Sequence, residues 1–342
     1  MAFRIKANKM DFRLDCRRYS LPFRAPVRTA RGLWPVREGL FVRVERPDGT
    51  ARFGEASPLP LPGAESAADD EAFCLSLGGR IDGQALGRVP EALCSLRYAL
   101  GCATGAGRPP RHRSLAVAAL LPAGRAALAY APPRAEAGFR VFKWKVGVGA
   151  ADDEMALFDD LIAALPQGSR FRLDANGAWD PRSAKRWLDR CSDRPVEFVE
   201  QPVAPDSRGA DDQLRGLSGD YPVPIALDES IGGDRDIGKW IDAGWAGYFV
   251  VKPALLGDAA GTLARLAAAK LRVVFSSSLE TAIGAQAALR EAFAWPGDTP
   301  ALGFGVWPLF ADAAFDGPVA VPFLRLEDVE RINPEAAWNA AS

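Results

Sequence analysis

From about residue 115 to residue 276 the chain alternates short apolar runs with longer amphipathic stretches. Leu115 to Leu121, Arg140 to Val146, Arg170 to Asp174, Val196 to Glu200, Pro224 to Asp228, Tyr248 to Lys252 and Val273 to Ser276 are brief and rich in Val, Ile, Leu and Phe. Such runs predict strands buried on both faces. The segments between them carry helical periodicity. Met155, Phe158, Leu161, Ile162 and Leu165 form one apolar stripe, with Asp152, Asp153 and Glu154 in the first turn and Pro166 past the end. Asp180-Pro181 predicts an N-cap followed by proline at the first helical position, and Trp187, Leu188 and Cys191 continue that stripe. Asp258 to Lys270 is rich in Ala and Leu, acidic at its start and basic at its end. Strand and helix in alternation predict a parallel α/β sheet, here a closed β/α barrel.

The chain before about position 105 has another texture. Phe12 to Leu21 and Gly39 to Arg46 predict strands, Pro47-Asp48-Gly49 a turn into a third strand ending at Glu55, and two helical stretches follow, around Glu71 and from Pro90 to Leu100. This is an α+β lobe placed before a barrel. Gly105 to Arg113, basic and with two prolines, reads as a solvated linker between them.

Composition agrees. At 342 residues, 48% hydrophobic and 25% charged, the chain can bury one barrel and a smaller lobe. A formal net charge of −1 gives no bias toward nucleic acid or anionic membrane. The N-terminus interleaves charged and apolar residues without a secretory core, and no stretch predicts a membrane span. Five cysteines without C-x-x-C spacing predict reduced thiols and a cytoplasmic setting. The single histidine, His112, lies in the basic stretch, so acid/base chemistry falls to carboxylates, lysines or tyrosines.

Those groups stand in order. Lys145, Asp174, Glu200, Asp228, Lys252 and Ser276 are separated by 29, 26, 28, 24 and 24 positions, each at the carboxyl end of a predicted strand, where a barrel carries its functional groups. Asp174, Glu200 and Asp228 predict an all-oxygen site for Mg²⁺ or Mn²⁺. An ion there would bind a substrate carboxylate and stabilise the charge that develops on loss of its α-proton. Lys145 is the expected base, with Lys143 supplying a second ammonium on the same strand face. Lys252 faces the same carbon from the far side, as a second base or a fixed cation.

K-W-K, R-L-D-A-N-G-A-W, V-E-Q-P, A-L-D-E-S and V-V-K-P, in that order, resemble the enolase superfamily in its muconate-lactonizing subgroup. The resemblance runs from about Arg18 to about Val306 and implies a (β/α)7β modified TIM barrel with an N-terminal α+β capping domain. It divides the chain into a capping domain at 1–105, a catalytic barrel at 106–320, and a C-terminal segment at 321–342 that packs back on the capping domain. It implies Asp174, Glu200 and Asp228 as Mg²⁺ ligands, Lys145 as a base that returns its proton to a departing hydroxyl, Lys252 as a cation beside an enediolate, and Lys143 as the group that tunes Lys145. Asn176 and Arg172 would orient the carboxylates. Ser276, Ser277 and Ser278 would hold a succinyl arm, while Thr29, Arg31 and Gly32 match a loop of the capping domain that closes over the site, with Glu55 and Ser57 in the neighbouring loop.

The segments T-A-R-G-L-W-P-V-R-E-G-L, G-E-A-S-P-L-P, A-L-L-G and F-S-S-S-L-E-T-A-I-G favour, within the subgroup, the hydro-lyase branch of menaquinone and phylloquinone biosynthesis. Its reaction is syn dehydration of 2-succinyl-6-hydroxy-2,4-cyclohexadiene-1-carboxylate. An N-acylamino-acid racemase or a muconate cycloisomerase would keep every ligand and both lysines, and a non-catalytic binding protein is the reading from another class. The segment Ala301 to Phe310 departs from the acidic pattern of many relatives and lacks the D-x-D pair of dipeptide epimerases. The expected partner is a small-molecule carboxylate, with no nucleic acid or membrane and the homo-oligomeric state left open.

Overall fold

The computed structural model describes residues 12–29, 32–60 and 64–341. The N-terminal lobe is a four-stranded antiparallel sheet in the order β3-β2-β1-β4, from β1 (Phe12–Thr29), β2 (Gly32–Glu45), β3 (Ala51–Ala56) and β4 (Arg80–Ile81). The predicted turn joins β2 to β3, with Gly49 at φ 83 and the Arg46 amide donating to the Thr50 carbonyl at 2.9 Å. Helices α1 (Ala67–Ser76), α2 (Gly83–Arg88) and α3 (Cys94–Thr104) complete the lobe. Leu14, Leu40, Val42 and Val44 of the sheet bury against Cys74, Leu96, Ala99 and Leu100 of the helices. Gly54 permits the close approach of α3, because a Cβ there would collide with the Ala99 carbonyl.

β1 and β2 run further than the sequence predicts. They continue as a two-stranded ribbon through Val27↔Trp34, Arg28↔Leu33 and Thr29↔Gly32, so the segment expected as a loop is largely paired strand. Pairing is interrupted between Pro22 and Val27. There the chain turns to the barrel instead, with Phe23 bridging Phe310 and the Arg24 amide donating to the Leu309 carbonyl at 3.0 Å.

The barrel begins with β5 (Ser114–Ala116) and β6 (Ala119–Leu121), followed by α4 (Ala127–Glu136), β7 (Val141–Lys145), α5 (Ala151–Ala164), β8 (Arg170–Asp174), α6 (Pro181–Cys191) and β9 (Val196–Glu200). It continues with α7 (Ala210–Asp220), β10 (Ile225–Leu227), α8 (Asp234–Asp242), β11 (Tyr248–Val251), α9 (Ala259–Ala268), β12 (Arg272–Phe275) and α10 (Ala282–Phe293). β6 to β12 are seven parallel strands in sequence order. Closure comes from Leu302 and Gly303, which bridge Val117 on one side and Ser276 on the other. The predicted strand Leu115 to Leu121 is therefore two strands: β5 pairs antiparallel with the C-terminal β13 (Phe323–Arg325), and β6 enters the barrel.

Trp144 lies 6.2 Å from Phe158, ring to ring, which places the buried Phe142 and Trp144 of β7 toward the helices and the alternate residues Lys143 and Lys145 toward the barrel interior. Phe198, Ala226, Val250 and Val274 form a small apolar cluster of their own. The predicted cap forms, with Asp180 Oδ1 accepting from the Ser183 amide at 2.6 Å, and Asp258, at the acidic start of α9, caps it with Oδ1 accepting from the Gly261 amide at 2.9 Å. After α11 (Leu326–Glu330), helix α12 (Pro334–Ala340) lays Trp338 against Arg17, 4.2 Å from guanidinium to ring centre, and against Phe53.

The basic stretch expected as a solvated linker lies on α10. Arg108 Nε is 2.9 Å from Glu291 Oε2, and His112 Nε2 is 2.8 Å from the Trp295 carbonyl. Among the described residues no helix is long and apolar enough to cross a membrane.

Candidate active site

The acidic residues and lysines meet at one end of the barrel because each closes or immediately follows a parallel strand. Asp174 and Glu200 are paired in register, Lys145 is in register with Asp174, Asp228 follows β10, and Lys252 follows β11. Asp174, Glu200 and Asp228 are all buried. Lys143 Nζ stands 2.7 Å from Glu200 Oε1 and 2.9 Å from Asp174 Oδ2, while Lys252 Nζ bonds Asp228 Oδ1.

This concentration of buried charge reshapes protonation. Burial pulls the Lys143 ammonium down, but Asp174, Glu200 and Asp228 outweigh it and hold it above its ordinary value. Burial likewise opposes the Lys252 ammonium, and Asp228 and Glu229 overcome it. Asp228, raised by burial, is brought below its ordinary value chiefly by Lys252 and Lys143. Glu200 is pushed up to about 8 by burial and then by Asp174, against Lys143. Glu229 rises to about 7 through burial and then Asp228, with Lys252 opposing, and its Oε2 is buried without a hydrogen-bond partner.

Among the described residues no three acidic, cysteine or histidine side chains converge as a finished metal-ligand set. The carboxylate oxygens turn to the lysine ammoniums instead. Their chemistry nevertheless fits a hard divalent ion. The three offer only oxygen donors, and they are buried together at adjacent strand ends.

Neighbouring amides orient these carboxylates. Asn176, at φ 43, donates its backbone N–H to Asp174 Oδ1 at 3.1 Å and its side-chain amide to Glu229 Oε1 at 3.0 Å. Gln201, at φ 39 and fully buried, accepts from the Asp228 and Ser230 amides at 3.1 Å each and donates to the Val203 carbonyl at 2.9 Å and Ser230 Oγ at 2.7 Å. Two non-glycine residues in left-handed conformations beside three buried carboxylates show how tightly the strand ends are determined.

Arg172 is placed differently from the expectation. It pairs with Glu197 Oε2 at 2.8 Å, donates to the Ala301 carbonyl at 2.6 Å and lies 4.8 Å from the Phe198 ring centre, so its guanidinium serves the barrel interior two residues below Asp174. The hydroxyls of the serine loop expected to hold a succinyl arm are bonded within the protein. Ser276 Oγ donates to the Gly303 carbonyl at 3.2 Å, and Ser277 Oγ and Ser278 Oγ donate to Glu280 Oε2 at 3.0 and 2.9 Å. Thr29 pairs with Gly32 through its backbone in the β1–β2 ribbon, whereas its side chain and the whole of Arg31 lie outside the described residues.

Gln201, Glu229, Glu280 and Arg37 make contacts that the sequence does not announce, and Glu55 and Glu154 reach further than a loop position and a first helical turn imply. Glu154 of α5 accepts from the Gly147, Val148 and Gly149 amides at 2.8 to 3.0 Å, fixing the turn that follows Lys145. The E-Q-P and D-E-S motifs were a signal for Gln201 and Glu229, since each directly follows a proposed ligand.

A family model described as Enolase C-terminal domain-like matches residues 126–326. The chain is 40% identical over 301 residues to o-succinylbenzoate synthase of Thermosynechococcus vestitus, covering 86% of this chain and 92% of the relative. It is 30% identical over 243 residues to a hydrophobic dipeptide epimerase of Roseobacter litoralis, covering 64% of this chain and 69% of the relative. The solved o-succinylbenzoate synthase of Thermosynechococcus elongatus BP-1, with Mg in its active site, superposes with a TM-score of 0.79 at 34% identity, over 96% of this chain and 99% of that one. With seven parallel strands closed into a barrel behind an antiparallel lobe, and with these matches, the chain belongs to the enolase superfamily.

Proposed function

We propose that this chain performs the reaction of o-succinylbenzoate synthase: the Mg²⁺-dependent syn dehydration of 2-succinyl-6-hydroxy-2,4-cyclohexadiene-1-carboxylate to 2-succinylbenzoate, a step toward menaquinone or phylloquinone. The observation that carries the reading is three buried carboxylates at consecutive strand ends with lysines on both flanks, in a chain 40% identical to such a synthase.

Asp174, Glu200 and Asp228 would hold the ion. Mg²⁺, when bound, would grip the substrate carboxylate and stabilise the second negative charge that develops on it. Lys145 takes the α-proton and then gives it to the departing hydroxyl on the same face. Water and the aromatic acid leave, and the lysine ends as it began. Lys143, held as an ammonium by its carboxylate neighbours, stands two residues from Lys145 on the same strand face. Lys252, kept positive by Asp228 and Glu229, faces the developing charge as a fixed cation. Five free thiols support a reducing, cytoplasmic setting.

Lysines on opposite sides of one carbon also suit a two-base isomerase acting on an N-acylamino acid, the second reading. The deciding experiment offers the purified Mg²⁺-loaded enzyme the cyclohexadiene and, separately, an N-acylamino acid in D₂O. Formation of the aromatic product is the expected result. Rapid racemisation with no aromatic product would replace the first reading by the second.

A further inference from the structure

The contact between the capping lobe and the serine loop is made by buried charges. Glu55, at the end of β3, is 1% exposed and reaches the first turn of α10. Its carboxylate accepts from the Thr281 amide at 2.9 Å, from Thr281 Oγ1, from the Gly284 amide at 2.8 Å and from Tyr19 Oη at 2.6 Å. Gly284 is required by this approach, since a Cβ there would stand 2.9 Å from Glu55 Oε2 and 2.8 Å from Glu280 Cβ.

Arg37, 2% exposed, works from the same lobe. Its guanidinium donates to the Pro58 carbonyl at 2.6 Å and to the Ser57 carbonyl within the lobe, and to the Leu279 carbonyl at 3.2 Å and the Ser278 carbonyl at 3.4 Å across the boundary. Between these two anchors the loop folds on itself. Glu280 gathers Ser277 Oγ, Ser278 Oγ and the Ser278 amide, and Leu279 is held at φ 65, an uncommon conformation for a leucine.

We infer that Glu55 and Arg37 are positioning residues. They set the shape of the loop Ser276 to Glu280 from outside the barrel, so that the substrate-facing end of β12 is complete only while the capping lobe is docked. The helix-terminal carboxylate alone would cap α10. The second anchor, Arg37 on the loop carbonyls, makes the pair a clamp on the loop. The inference rests on the proposed reading only in assigning the loop to the substrate's arm.

The test uses Glu55→Gln, Arg37→Lys and the milder Tyr19→Phe, which removes one donor to Glu55 and leaves the ring packed 4.4 Å from Phe41. Without substrate, hydrogen exchange at Ser278, Leu279, Thr281 and Gly284 should quicken about tenfold or more in the first two variants, the scale of one lost charge-assisted bond, while β8 and β9 stay protected. With substrate, KM should rise by about tenfold, kcat should stay within about threefold and Mg²⁺ affinity should hold, with Tyr19→Phe shifted less in the same direction. Wild-type exchange at those four amides in both main variants overturns the clamp, whatever the substrate proves to be. Faster exchange with unchanged KM and kcat overturns its role in substrate binding. Failure of the wild type to dehydrate the cyclohexadiene sinks the proposed function instead and leaves the exchange result to stand on its own.

Discussion

Lys143 Nζ lies 2.7 Å from Glu200 Oε1, so the strand that carries the proposed base is bound through its neighbouring lysine to a carboxylate two strands away. The same ammonium touches Asp174, and with Lys252 on Asp228 the three carboxylates are already committed to cations. A divalent ion bound to the same three carboxylates would add positive charge beside them.

Mg²⁺ should therefore stabilise the fold as well as permit turnover. An ion that binds only the folded chain contributes about 2.7 kcal/mol at a hundredfold excess over its Kd. Thermal unfolding with EDTA and then with added Mg²⁺ measures this. Asp174→Asn, Glu200→Gln and Asp228→Asn should each fold, lose most of the Mg²⁺-dependent rise in Tm and lose turnover. A rise of wild-type size in all three variants would refute the ligand assignment.

Gln201 offers a sharper probe because it touches Asp228 only through the backbone. Gln201→Leu keeps the size but leaves the Asp228 and Ser230 amides without their acceptor, a loss of about 1–3 kcal/mol for a buried donor. Mg²⁺ affinity should fall by about 10- to 100-fold, as expected when a group that orients a ligand is removed. Titration calorimetry reads it directly. Unchanged affinity would mean that the strand end holds Asp228 without help.

What the sequence made legible was local. Arg170 to Asp174 and Val196 to Glu200 set Phe, Leu and Val among charged residues and close on an acid, and nothing distant is needed to make them strands with a carboxylate at the end. The site elements that escaped depend on partners far away in the chain. Leu115 to Leu121 splits because the Val117 amide goes to the Pro322 carbonyl and the Ala118 amide to the Leu302 carbonyl. Glu55 meets Thr281 across 226 positions. The bonds of Ser277 and Ser278 to Glu280 are not legible in the sequence, because only the left-handed turn at Leu279 brings Glu280 back onto their hydroxyls. Helix α4 is masked in the sequence by Pro132 and Pro133, which remove two backbone donors.

Stability should depend on pH through the capping lobe. Asp70 of α1 is fully buried; no amide or hydroxyl donates to its carboxylate oxygens, and it shares a hydrogen bond with the Glu65 carboxyl. Burial, and then Glu65, pushes its pKa from 3.8 up to about 9. The folded chain thus retains a proton that the unfolded chain releases. Its contribution to stability is fully present below about pH 4 and is lost progressively as the pH rises toward 9. Asp70→Asn should remove that dependence, gaining Tm over the wild type by a margin that is small at pH 5 and widens toward pH 9. A constant margin across the range would show that Asp70 ionises freely in the fold.

The paired lysines separate a one-base dehydration from a two-base racemisation. A racemase must take and return a proton on either face of the α-carbon, so both lysines exchange it with solvent, whereas syn dehydration needs a proton carrier on one face alone. Lys145→Ala should lose dehydration altogether. Lys252→Arg keeps the charge beside Asp228 but is a poor base, so it should retain part of the dehydration while losing any racemisation. Dehydration rate and deuterium uptake into an N-acylamino acid in D₂O, measured on the wild type and both variants, give the answer. Equal loss of dehydration in Lys145→Ala and Lys252→Arg would show that the reaction uses both faces, and Lys252 would then have to move protons as well as carry charge.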